Sequence, residues 1–160
     1  MLRRSLFCTV ALVASVALVR CGLVTPTGVV DVRQVQLSLE LSSEEVVNGA
    51  TVAAEVRIRN TGTTTAAIQV TESCLADFSI VRDGVPQAFR ITPAECWAVD
   101  SPLMLDPGEL LRREWTIEVV TPSGAAVPEG QYIVRVEMNG RLEGGSEFPD
   151  VVRPLTVVEP

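Results

Sequence analysis

From Val35 onward apolar side chains recur at every second position, and that period decides most of what this chain can fold into. Val35, Leu37, Leu39 and Leu41 alternate with Gln34, Gln36, Ser38 and Glu40, and Val52, Ala54, Val56 and Ile58 alternate with Ala53, Glu55, Arg57 and Arg59. A pleated strand sends successive side chains to opposite faces, so a period of two makes a ribbon with one apolar and one wet face. The pattern returns in Ala66, Ile68 and Val70, in Phe78 and Ile80, and in Leu111, Trp115, Ile117 and Val119, where Arg113 breaks the apolar phase. It returns again in Tyr132, Val134, Val136 and Met138, and Leu155 to Val158 closes the chain. Turn residues separate the runs: Asn48-Gly49, Asn60-Thr61-Gly62, Asp83-Gly84, Asp106-Pro107-Gly108, Pro128-Glu129-Gly130 and Asn139-Gly140. No stretch after residue 31 has the helical period. Residues 32–160 are therefore expected to form one all-β domain, an antiparallel β-sandwich of about seven to nine short strands, with a closed barrel as the competing arrangement.

The start of the chain follows different rules. Met1-Leu2-Arg3-Arg4 is basic, and Leu6 to Val19 is an almost unbroken apolar stretch of fourteen residues. That is short for a membrane span, which needs about twenty residues, and suits the apolar region of a signal peptide. Residues 1–20 are read as a signal peptide and 21–31 as a tether. Ser15-Val16-Ala17 offers small residues at the spacing that signal peptidase uses. Leu18-Val19-Arg20-Cys21-Gly22 resembles the lipobox of bacterial lipoproteins, whose cysteine becomes the acylated first residue; Leu18 and Cys21 fit that pattern and Arg20 departs from it.

Four cysteines sharpen this reading. Cys8 lies inside the apolar stretch, leaving Cys21, Cys74 and Cys96, an odd number for an oxidising compartment. Pairing Cys74 with Cys96 closes a loop of about 22 residues, worth roughly 3 kcal/mol in the chain-entropy picture, and leaves Cys21 for lipidation. Inside that loop, Asp83-Gly84 is expected to turn a hairpin from Phe78–Val81 into Phe89–Ile91, so that the bridge ties the ends of a β-ribbon. The alternatives are a redox pair, which normally comes as Cys-x-x-Cys, and a zinc site, which needs two carboxylates besides.

Composition removes whole mechanisms. The chain has no His, and its thirteen basic residues are all Arg. Without imidazole there is no Ser-His-Asp or Cys-His nucleophile system and no His-ligated zinc; without Lys there is no Schiff base. Net charge is −7; loss of Arg3, Arg4 and Arg20 takes it to −10, which argues against nucleic acid as a partner. No motif implies a cofactor or a metal. The acids Glu44-Glu45, the set Asp100, Asp106 and Glu109, and the set Glu143, Glu147 and Asp150 fall in loops and match no EF-hand spacing. Trp97, Trp115 and Tyr132 are expected as core aromatics, with Trp97 next to the bridge and Tyr132 placed for a tyrosine corner.

Four segments in order, VRIRNTG (56–62), DFSIVRDG (77–84), LDPGELLRREWTI (105–117) and VPEGQYIVRV (127–136), resemble the BsuPI-type intracellular proteinase inhibitor domain of bacteria. The likeness runs from about Val52 to Met138. It implies an immunoglobulin-like sandwich and, more loosely, proteinase inhibition, although no reactive-site motif transfers residue by residue.

Together these features lead to the expectation of a non-enzymatic module, exported and either lipid-anchored in the cell envelope, periplasmic or secreted. It would touch the membrane through Cys21 and a protein partner through edge strands and end loops. The alternative is a proteinase inhibitor acting through an exposed loop. Thr121–Val127, with Ser123, Gly124, Ala125 and Ala126 at its tip, is one candidate and the hairpin inside the cysteine loop is another. A carboxylate hydrolase or a calcium-dependent carbohydrate binder is the third class.

Overall fold

The structure, a computed structural model, describes residues 28–93 and 96–159; residues 1–20, read above as a signal peptide, and Cys21 lie outside the described residues. Among the described residues there are fifteen strands and no helix. In chain order they are β1 (Val29–Val32), β2 (Val35–Leu41), β3 (Glu45–Val47), β4 (Thr51–Asn60), β5 (Ala66–Val70), β6 (Ala76–Arg82), β7 (Val85–Pro86) and β8 (Arg90–Thr92). These are followed by β9 (Cys96–Trp97), β10 (Leu103–Leu105), β11 (Leu110–Glu118), β12 (Gly130–Met138), β13 (Gly140–Leu142), β14 (Ser146–Glu147) and β15 (Val151–Val158). Seven of them have five residues or more, and these hold the alternating runs of the sequence. The excess over the expected seven to nine consists of short pieces that splice those strands together.

One sheet has the order β1-β2-β4-β11-β8, and a second has β3-β15-β12-β6-β7 with β9 also on β6. Counting β2, β4, β6, β8, β11, β12 and β15 as the first to seventh strands, this places the first, second, fifth and fourth in one layer and the seventh, sixth and third in the other, the arrangement of an immunoglobulin-like sandwich. The chain is such a sandwich. The inward phases are those read from the alternation: Val52, Ala54, Val56 and Ile58 from β4 are fully buried, and they face Phe78, Ile80, Val134 and Val136 of the second sheet in one core. Burying each of the Val, Ile and Phe side chains among them stabilises by about 1.5–3 kcal/mol, and the Ala54 methyl by less. A one-residue slip of register would therefore turn several of these groups out to water at once.

Three insertions meet at one end of the sandwich. β5 lies between β4 and β6, β9 and β10 between β8 and β11, and β13 and β14 between β12 and β15; β10, β5, β13 and β14 pair in that order as a third sheet. It sits where β4 ends and β11 begins, since Leu110 pairs with Arg59, and where β12 ends on the start of β6, since Met138 pairs with Ala76. Ile68, Leu105, Leu142 and Phe148 of this cap join the same core.

Three expectations are corrected. The domain starts before Val32, because Val29 to Val32 already pair with Ser38 to Val35, so the last residues assigned to the tether belong to the sheet. Asn139-Gly140 is no hairpin turn: the chain passes from β12 straight into β13, where Gly140 pairs with Val70 of the cap. A Cβ at Gly140 would come within 2.8 Å of Ile68 Cγ2, so the close approach of cap and strand selects glycine there. The ribbon inside the cysteine loop is also shorter than expected. Asp83 (φ 51°) and Gly84 (φ 77°) do form the turn with two positive φ values, but β7 ends after Pro86, which has no N–H for a ladder. Phe89 is then drawn into the core edge-on to Tyr132, 5.2 Å between ring centres, and Arg90–Thr92 pair with β11 in the opposite sheet.

Candidate functional site

Cys74 and Cys96 form a disulfide with Cα atoms 5.5 Å apart. Cys74 precedes β6 and Cys96 opens β9, whose two residues pair with the start of β6, Cys96 with Asp77 and Trp97 with Ala76. Leu75 N–H donates to the Trp97 carbonyl at 2.7 Å. The bridge is thus a staple, but what it fastens is an excursion: the chain between the cysteines visits the other sheet as β8 and returns to the edge it left. Trp97 is buried and meets Trp115 edge-on at 6.0 Å, and Trp115 stacks on Phe78 at 4.9 Å. Arg113, the residue out of phase in the sequence, lies half-buried on the inner face with its guanidinium 5.3 Å from the Trp115 ring centre, and its Nη2 donates to the Cys96 carbonyl at 3.4 Å. A cation on an aromatic face, with its long stem packed beneath the insertion, is what makes an Arg tolerable at that position.

The tyrosine corner forms at the opposite end. Tyr132 is buried near the start of β12 and its hydroxyl donates to the Pro128 carbonyl, while Arg82 Nη1 donates to the Tyr132 hydroxyl oxygen at 3.3 Å and the Arg82 guanidinium lies over the ring at 5.4 Å. Ser123, Gly124, Ala125 and Ala126 are all exposed. Their backbone is folded rather than extended. Gly124 N–H donates to the Thr121 carbonyl, Thr121 N–H to the Ala125 carbonyl and Ala125 N–H to Thr121 Oγ1. Val120 bridges Ala126, and Asn48 clamps Val127 through both of its backbone groups.

The loop acids act locally as caps and ion-pair partners. Glu109 Oε2 accepts from Asp106 N–H at 2.7 Å and Asp106 Oδ1 accepts from Thr65 Oγ1 at 3.0 Å, closing the turn before β11. Glu147 pairs with Arg141, Asp150 with Arg135, and Glu44 with Arg153. Among the described residues no three acidic or thiol side chains converge as a metal-holding group.

Two residues carry more than the sequence revealed. Asn60, legible only as a turn residue, is completely buried. Its amide donates to the carbonyls of Thr64 (2.7 Å) and Leu105 (2.9 Å) and accepts from Gly62 N–H (2.9 Å), fixing β5 and β10 to the end of β4. Ser38 faces outward by phase, yet is only 9% exposed. It lies in an open groove of about 380 Å³ on the outer face of the first sheet, with Val29, Arg57, Arg59, Leu110 and Arg112 around it. A larger open groove of about 610 Å³ lies by the cap and includes Arg33, Gln34, Thr64 and Glu143; there Arg33 Nη1 already donates to the Glu143 carbonyl.

The architecture defines an immunoglobulin-like β-sandwich with a capped end. No protein-family model matches the chain, and no curated protein matches it in sequence. Among solved structures, the CARDB domain of PF1109 from Pyrococcus furiosus is similar over 79% of this chain and 97% of that one, with 15% identity and a TM-score of 0.44. The sporulation control protein Spo0M from Bacillus subtilis is similar over 81% of this chain, at 16% identity and a TM-score of 0.47, and the match spans 51% of its length. A PapD-like domain of human CEP192 is similar over 76% of this chain and 86% of that one, at 15% identity and a TM-score of 0.33.

Proposed function

We propose that the chain is an exported, non-enzymatic binding module, held in the bacterial cell envelope by lipid on Cys21. The observation that carries this reading is the Cys74–Cys96 bridge: it uses two of the three cysteines that remain after the apolar stretch and leaves Cys21, in its lipobox-like setting, as the odd one. The described chain begins at Gly28, whose carbonyl accepts from Leu39 N–H at 2.7 Å. The seven steps from Cys21 to Gly28 span at most about 25 Å, so an acylated form would keep the sandwich close to the bilayer. Its faces, rather than a catalytic cleft, would then meet the ligand. Under this reading the BsuPI-type likeness concerns scaffold: its four segments supply the Asn60 hub, the β6 turn, the start of β11 and the tyrosine corner. The self-bonded turn at Thr121–Ala125 differs from the extended backbone that a loop inserted into a protease cleft would need.

The test is partition of the full chain expressed in a bacterial host. Wild type is expected in the membrane fraction and in the detergent phase, with Cys21→Ala moving to the soluble fraction. Unchanged partition of Cys21→Ala would refute the anchor.

A further inference from the structure

The outer face of the first sheet brings three arginines, Arg57, Arg59 and Arg112, together around one groove on a chain whose net charge is −7. Register places Val29, Ser38, Arg57 and Arg112 in one row across β1, β2, β4 and β11, with Asp31, Gln36, Arg59 and Leu110 in the next row on one side, where Asp31 Oδ1 accepts from Gln36 Nε2 at 3.2 Å, and Glu40, Glu55 and Glu114 on the other. The acidic row forms its close ion pairs with Arg57, whose Nε lies 2.6 Å from Glu55 Oε1 and whose Nη1 lies 2.8 Å from Glu40 Oε1, while Arg112 acts on Glu55 through charge at longer range. Arg59 and Arg112 enter no ion pair and no side-chain hydrogen bond among the described residues. They stand diagonally across the β4–β11 pair, where positions about 7–8 Å apart let long side chains converge. Between them and β1 lies the groove that Ser38, itself only 9% exposed, helps to line. Val29 and Leu110, each more than a third exposed, supply apolar walls.

We propose that this groove binds a small oxyanion ligand, a carboxylate or phosphate group on a short carbon frame, with Arg59 and Arg112 gripping the oxygens and the Ser38 hydroxyl donating to one of them. Arginine forks match planar and tetrahedral oxyanions with paired N–H donors. Arg57, already tied to two carboxylates, acts as a positioning residue that keeps Glu40 and Glu55 turned from the ligand. The volume, about 380 Å³, suits a small molecule, and the adjoining row of Glu40, Glu55 and Glu114 repels an extended polyanion. The proposal names a ligand class for the binding module argued above and is independent of the lipid anchor.

The test follows the arginine Nε–Hε resonances of the full chain, in detergent where the chain is membrane-bound, while inorganic phosphate or succinate is added at constant ionic strength against sodium chloride. Two signals, assigned through Arg59→Gln and Arg112→Gln, are expected to shift saturably with a Kd of about 1 mM or tighter. Either Gln variant should weaken binding about tenfold and Ser38→Ala a few-fold, with melting temperatures unchanged in the two arginine variants. Saturation by phosphate alone, by succinate alone or by both identifies the oxyanion and supports the site. Shifts that do not saturate, that occur equally at exposed Arg141, or that are absent would overturn it, whatever the outcome of the Cys21→Ala partition.

Discussion

Asn60 shows how much one buried amide can organise. Three of its side-chain hydrogen bonds, together with Asn60 N–H to the Glu109 carbonyl and Gly108 N–H to the Asn60 carbonyl, gather β4, the cap and the approach to β11 on one residue. Asn60→Ala would leave buried carbonyls and an N–H unpaired, so a loss of about 2–4 kcal/mol is expected in urea unfolding. Tyr132→Phe keeps the ring and removes the hydroxyl that donates to Pro128 and accepts from Arg82. It should lower stability by about 1–2 kcal/mol in the same assay. The tyrosine was legible because Gly130-x-Tyr132 at the head of a strand has one mechanical use. The asparagine was not, since Asn-Thr-Gly reads as a turn whether or not two inserted strands converge on it. Arg113 was visible only as a break in phase; its partner face on Trp115 depends on the β9 insertion above it.

At the scale of the strand, period two was the dependable signal. The long strands β2, β4, β11 and β12 bury the residues that alternation assigns to one face, because in a two-layer fold that face has nowhere else to go. What alternation could not carry was the pairing of three-residue pieces. β8, β10 and β13 take partners far away in sequence, and Phe89 leaves the ribbon for the core because an aromatic gains more there than on an exposed hairpin. Charged rows on the outer faces follow register just as strictly. The Glu55 carboxyl is held below its ordinary value, first by its hydrogen bonds from Arg57 and then by the charges of Arg57 and Arg112, against an opposing desolvation effect. Such a group favours the fold fully above its unfolded value and loses that contribution as pH falls through the depressed folded value. The melting temperature of Glu55→Gln should therefore lie below wild type near neutrality, and the gap should close as pH drops below about 4.5.

For the molecule as a whole, the disulfide joins fold and address. It closes a span of 22 residues that crosses from one sheet to the other and back. Removing it in Cys74→Ser/Cys96→Ser should cost about 3 kcal/mol in denaturant unfolding, through the freer unfolded chain. The spacing of the two cysteines made the pairing legible, whereas the path between them was not, because the switch of sheets is set by tertiary contacts at Phe89 and β11. The export reading joins that bridge to the N-terminal apolar stretch and the odd Cys21, and one measurement addresses all three together: the intact mass of the native protein taken from membranes, with and without reduction. The predicted result is a chain beginning at Cys21, heavier by acyl groups and lighter by two hydrogens than the reduced form. A chain retaining Met1, or one whose Cys74 and Cys96 both alkylate without prior reduction, would contradict it.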